Sequence, residues 1–203
     1  MADFASVAAV GSSLVRFLSH CFEQQQPNET DGNNTSDTTV VLARTEDLNL
    51  QDNPLITPPC LSIFLYRVDF NSITRASWSA VAHAKGRAYL PLEFHFLMIP
   101  WGTTADQKYR ILGRTLQCFE DNPILSGPLL DPVTNWAAND SIQMCMEDLS
   151  TEDLMRIFDS LPVDYKLCTP YMAKVLVMQG RRQDGLHEVA RADLGLTSSV
   201  VTT

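Results

Sequence analysis

Glu93 and His95 stand two residues apart in a run, Leu92 to Ile99, that otherwise carries mainly apolar side chains. At that spacing both project from the same face of a strand, where a carboxylate beside an imidazole makes a general base. The same pattern suits a polar strand face that meets solvent or another subunit, and the residues favour this plainer reading. Gly102-Thr103-Thr104 precedes a helix start, where free amides can hold an anion. No phosphate-loop or dinucleotide glycine pattern accompanies it, so a capped turn is expected. His187-Glu188 has no second histidine at metalloprotease spacing, and His20 and Cys21 are helix neighbours that face different directions. Gly11-Ser12-Ser13 falls inside a helical pattern and not at a strand-to-helix elbow. Glu152-Asp153 and Glu120-Asp121 fit a helix first turn and a helix end. The pattern thus supports no catalytic centre, no metal site and no cofactor.

The five cysteines are odd in number, widely spaced and without a C-x-x-C pair, so neither a disulfide framework nor a zinc site is expected. Buried free thiols in a reducing cytoplasm are the natural reading. A net charge of -9, with Arg181-Arg182 the one basic pair, argues against a nucleic-acid surface. No apolar run reaches the about 18 residues of a membrane span, and the N-terminal stretch has no positive region of the kind that opens a signal peptide.

The elements that must position these residues follow from periodicity. Phe4, Val7, Ala8, Gly11, Leu14, Val15, Leu18 and Phe22 make one long amphipathic helix, whose stripe the domain's own sheet is expected to cover. Residues 24–39 lack hydrophobic side chains and read as a mobile polar insert. Val40 to Ala43 suggests a short strand. In Cys60 to Phe70, Phe64, Tyr66, Val68 and Phe70 share one face and Leu61, Ile63 and Leu65 the other, as in a strand covered on both sides for most of its length. Residues 71–88, with Trp78 and His83, form a polar excursion that reads as a protruding loop.

Leu92, Phe94, Phe96 and Met98 define one face of the next strand, and Leu97 and Ile99 make its end apolar on both sides. Thr104-Ala-Asp-Gln107 is a capping box, after which Tyr109, Leu112, Leu116 and Phe119 form a helical stripe. Ser141 to Glu147 reads as a strand, Ser150 with Asp153 caps a short helix ended by Pro162, and Tyr171 to Met178 is a further strand. The sum is a single α+β domain over residues 1–180, a mixed or antiparallel sheet of about four main strands with helices packed on it, followed by a tail, 181–203, suited to an interaction arm.

Six segments in this order resemble the tail-terminator, or cap, proteins of extracellular contractile injection systems, phage-tail-like particles such as the Photorhabdus virulence cassette and the antifeeding prophage. They are FASVAAVGSSLVRFL (Phe4 to Leu18), SIFLYRV (Ser62 to Val68), PLEFHFLMI (Pro91 to Ile99), ILGRTLQCFEDNPILSG (Ile111 to Gly127), LSTEDLMRIFDSL (Leu149 to Leu161) and YKLCTPYMAKVLVM (Tyr165 to Met178). Phe158 and Cys168 depart from the family's expected Trp and Ser but keep packing roles. The resemblance implies a structural protein without catalysis, cofactor, nucleic acid or membrane insertion. It would form a homohexameric ring on the sheath and inner tube at the end distal to the baseplate, assemble in the bacterial cytoplasm and become part of the particle; a tape-measure protein is a further candidate partner. Trp101, Arg110, Arg114, Arg181 and Arg182 are the candidate interface residues, because aromatic residues and arginine are enriched at interfaces. Three other readings stay open: a connector of a contractile phage, a cytoplasmic adaptor, and a small enzyme built on Glu93 and His95.

Overall fold

A computed structural model describes residues 5–24, 35–49, 55–73, 89–132, 136 and 140–179. Most of the expected 24–39 insert and 71–88 loop, and the whole 181–203 tail, lie outside these residues. The described elements are α1 (Ala5–Glu23), β1 (Thr39–Ala43), β2 (Cys60–Phe70), β3 (Tyr89–Trp101), α2 (Ala105–Asp121), β4 (Ile124–Ser126), β5 (Ser141–Met146), α3 (Thr151–Asp159) and β6 (Thr169–Gln179), with 3-10 turns at Glu46–Leu48 and Gly127–Leu129. The strands form one six-stranded sheet in the order β1-β2-β3-β6-β5-β4. β1 runs parallel to β2 and the other pairings are antiparallel. The α+β sheet is therefore mixed, as expected, with two short edge strands added to the four main ones.

Apolar residues on both sides of β3 require a cover on both sides of the sheet, and the chain supplies two. Leu92, Phe94, Phe96 and Met98 face α1 and α2, where they meet Leu14, Leu18, Phe22, Ile111 and Phe119. Leu97, Ile99 and Trp101 face the other way, against Leu48, Ile56, Cys168 and Phe158 of α3. Full burial of each such large side chain is worth about 1.5–3 kcal/mol. Phe119 of α2 lies with its ring 4.7 Å from that of Tyr171 in β6, and 5.8 Å from Phe17 of α1. Gly11 lets α1 approach β1 closely, since a Cβ there would come within 3.0 Å of the Leu42 side chain. Ser13 Oγ accepts from the Asp131 amide at 2.8 Å and donates to the Ala9 carbonyl at 2.7 Å, tying α1 to the segment after the second 3-10 turn.

Three expectations change. The buried stripe of α2 is Ile111, Thr115, Cys118 and Phe119, while Tyr109 is 63% exposed and Leu112 and Leu116 are half-buried. Thr115 can be buried because its hydroxyl donates to the Ile111 carbonyl at 2.8 Å, a local solution that a count of apolar residues misses. β2 is covered on both faces only through Phe64; from Leu65 onward its side chains are mostly exposed. A bulge between Leu65 and Arg67 also shifts its phase, pairing Val68 with Phe94 and Phe70 with Leu92. Val68 and Phe70 thus belong to the α1 side and do not share a face with Phe64 and Tyr66.

Candidate functional site

Chemistry-bearing side chains gather where β2, β3 and the segment after β5 meet. The bulge turns Arg67 toward His95, its cross-strand partner, and Glu147 enters from the end of β5. His95 is buried, at 3% exposure. Its Nδ1 lies 3.0 Å from the Glu147 carboxylate and its Nε2 3.4 Å from Asp69 Oδ2. Tyr66 donates to Glu147 Oε2 at 2.8 Å and its ring tilts against the imidazole at 5.9 Å. Burial, and then the carboxylate it serves, push the Tyr66 phenol well above its usual range. Arg67 reaches Glu147 at 3.4 Å and Asp69 at 2.9 Å.

Both imidazole nitrogens thus lie against charged partners inside the protein. The arrangement braces three segments and leaves no ring nitrogen presented to a substrate. Glu93 shares the His95 face, as its spacing predicts, but it accepts from Asn71 Nδ2 at 3.0 Å instead. The carboxylate that serves His95 is Glu147, 52 residues away. No sequence spacing signals such a pair. Among the described residues no group of three or more His, Cys, Asp or Glu is arranged to hold a metal ion, and no helix is long and apolar enough to cross a membrane.

The turn before α2 is filled by its own side chains. Thr104 Oγ1 accepts from the Gln107 amide at 3.2 Å, and Gln107 Oε1 accepts from the Thr103 amide at 2.8 Å. The cysteines are free thiols, four of them buried. The Cys118 thiol of α2, and with it the Arg114 charge, hold the Cys21 pKa of α1 below its usual range against the effect of burial.

The candidate interface residues occupy different settings. Trp101 is 4% exposed, and its Nε1 donates to Ser62 Oγ at 2.8 Å while Lys166 lies over its ring. Arg114 projects from the half-buried side of α2, and its Nη2 donates to the carbonyls of Cys21 at 2.7 Å and Gln24 at 2.9 Å. It thereby satisfies orphan carbonyls at the C-terminus of α1, with the charge sign that the helix dipole favours. Arg110, one turn before Arg114 and likewise half-buried, pairs with Asp106 at 2.6 Å, and this partner raises its pKa. The two arginines are thus neighbours on α2, whereas Trp101 is buried on the opposite side of the sheet. Arg181 and Arg182 lie outside the described residues.

A surface feature that sequence reasoning missed is a groove of about 800 Å³ between the first 3-10 turn and α3. Leu48, Asn49, Met155, Phe158, Asp159 and the stretch from Leu161 to Lys166 line it. Phe158 forms its buried floor, edge-on to Tyr165 at 5.3 Å. The only hint in the sequence is Pro162, which stands three residues past the end of α3 and bars the helix from continuing.

No curated protein matches the chain. Among solved structures, it is similar to a chain from a cryo-EM structure described as an extracellular contractile injection system, PVC sheath/tube terminator in extended state. The TM-score is 0.55 at 12% sequence identity, over 96% of this chain and 65% of that one. The chain thus spans less than two thirds of that protein's length, and the likeness at this identity is one of fold. The Pvc16 N-terminal domain family matches residues 9–190, nearly the whole described sheet and its helices, and the chain belongs to that family.

Proposed function

We propose that this protein is a terminator of a contractile injection particle. Six copies would form a ring on the last layer of inner tube and sheath, at the end distal to the baseplate, and stop their growth. The observation that carries this reading is the family match over residues 9–190, joined by a fold similar to a sheath/tube terminator over 96% of the chain. The proposed partners are further copies of the chain and the tube and sheath proteins, with a tape-measure protein inside the tube as a candidate; assembly takes place in the bacterial cytoplasm before the particle is complete. The role is structural, in keeping with a buried histidine whose two nitrogens are both engaged. A ring needs a head-to-tail contact repeated by rotation, each burying upwards of about 1,000 Å². Of the described candidate contact residues, Arg110, with its side chain 35% exposed, is more available to a neighbour than Trp101 at 4%.

The test mixes the purified protein with polymerising tube and sheath proteins and follows particle length and end structure by electron microscopy. Six-fold rings on particle ends, with growth arrested in proportion to added protein, are expected. A protein that never joins tube or sheath while both polymerise would overturn the proposal.

A further inference from the structure

We infer that the groove beside α3 receives the Arg181–Val189 segment of the next copy in the ring. This rests on the ring reading above, since it names the contact between successive copies. The groove offers apolar surface at Met155, Leu161, Val163 and Tyr165, of which Met155 is 49% and Tyr165 47% exposed. Asp159 and Asp164 stand on its lips, and among the described residues neither has a basic partner. The one cation of the lining, Lys166, lies over the Trp101 ring. Such a site suits a segment that combines apolar anchors with positive charge. The chain carries apolar anchors and a basic pair just after β6, where Arg181-Arg182 is followed by Leu186 and Val189; with Asp184 and Glu188 the segment is neutral as a whole, and it is the arginine pair that answers Asp159 and Asp164.

For the arginine pair, distance decides between the same copy and a second one. The groove lies at the start of β6, next to Thr169, whereas Arg181 follows Gln179, the end of the strand, by two positions. Eleven strand residues separate the two ends by about 33 Å at roughly 3.3 Å per residue. Two or three further residues extend at most about 10 Å, so Arg181 and Arg182 cannot reach the groove of their own chain. A second copy has no such limit. Groove and arginines at opposite ends of one strand allow a head-to-tail contact, the kind that repeats around a ring.

The experiment places a photo-reactive benzoylphenylalanine at Arg182 in the full chain. Copies grown on light and heavy nitrogen are mixed, with and without tube and sheath proteins, irradiated and digested. A cross-linked pair joining a light residue-182 peptide to a heavy 155–166 peptide is expected, falling at least tenfold with Asp159→Arg/Asp164→Arg. Rings without this cross-link, or cross-links confined to one isotope, overturn the inference and leave the ring reading standing. The cross-link without rings upholds the contact and sinks the ring. Neither rings nor cross-link refutes both.

Discussion

Replacing Tyr171 by Phe removes one oxygen from the middle of the protein. The ring is 1% exposed and packs against Phe119, but its hydroxyl has no hydrogen-bond partner among the described residues. A hydroxyl taken from water without a partner is unfavourable by about 1–3 kcal/mol. Loss of its packing offsets part of that gain, so Tyr171→Phe is expected to stabilise the protein by about 1 kcal/mol. In a chain of this size that is roughly 2–4 °C in Tm. The pH dependence provides an independent check. Burial, with the Glu120 carboxylate adding to it, pushes the Tyr171 pKa up from 10.0 to about 12. A pKa raised by folding gives stability that is intact below the unfolded value and is lost as pH rises through the folded one. Near pH 11 this group alone costs the wild type about 1.4 kcal/mol relative to neutral pH. The gap between Tyr171→Phe and wild type should therefore widen to roughly 2 kcal/mol there. Urea unfolding followed by circular dichroism at pH 7 and near pH 11 measures both. A variant less stable than wild type at pH 7 by more than about 1 kcal/mol, or a gap that stays constant with pH, would refute the reasoning.

Arg114→Ala should lower stability by about 2 kcal/mol, because two charge-assisted bonds to the end of α1 are lost, whereas Arg110→Ala should lose at most about 0.5 kcal/mol for an exposed pair; equal effects in parallel denaturation curves would count against the capping role. His95→Ala and Glu147→Ala are each expected to destabilise by about 3 kcal/mol, and the double variant by about 2 kcal/mol less than their sum, since either change alone strands the other partner. Additive losses in that double-mutant cycle would show the two side chains to be uncoupled. Thr104→Ala should cost about 1 kcal/mol and Thr104→Asp should recover it; a thermal melt in which alanine is harmless would remove the hydroxyl from the cap of α2.

What was legible in the sequence is what neighbours in the chain decide together. The alternation of Leu92, Phe94, Phe96 and Met98, the Thr104 cap of α2 and the Ser150–Asp153 cap each depend on a few adjacent residues and each appears as read, although Gln107 turns back to the Thr103 amide and not to that of Thr104. The family resemblance drew on those same segments. The bulge at Leu65/Arg67 escaped because one extra residue reverses every later side chain without altering composition. β4 is too short, at three residues, to display a period. The Arg114 bond to Cys21 spans 93 residues, so nothing near this interface candidate in the chain shows that its end is fixed to a distant helix. His95 was singled out for its chemistry, but its partner is a glutamate that only the sheet brings near.

β1 stops opposite Phe64, and among the described elements no strand continues beside Leu65–Asp69 on that side of β2. An edge left open among the described elements is a template on which a stray extended chain can grow, and for the terminator role proposed above unplanned growth is the failure to avoid. The sequence answers it with the bulge, which skews the backbone out of the plane a newcomer needs, and with Arg67 and Asp69, whose charges a newcomer must bury or match. Under the proposed role, straightening this edge and neutralising those two residues would convert a stop into a seed.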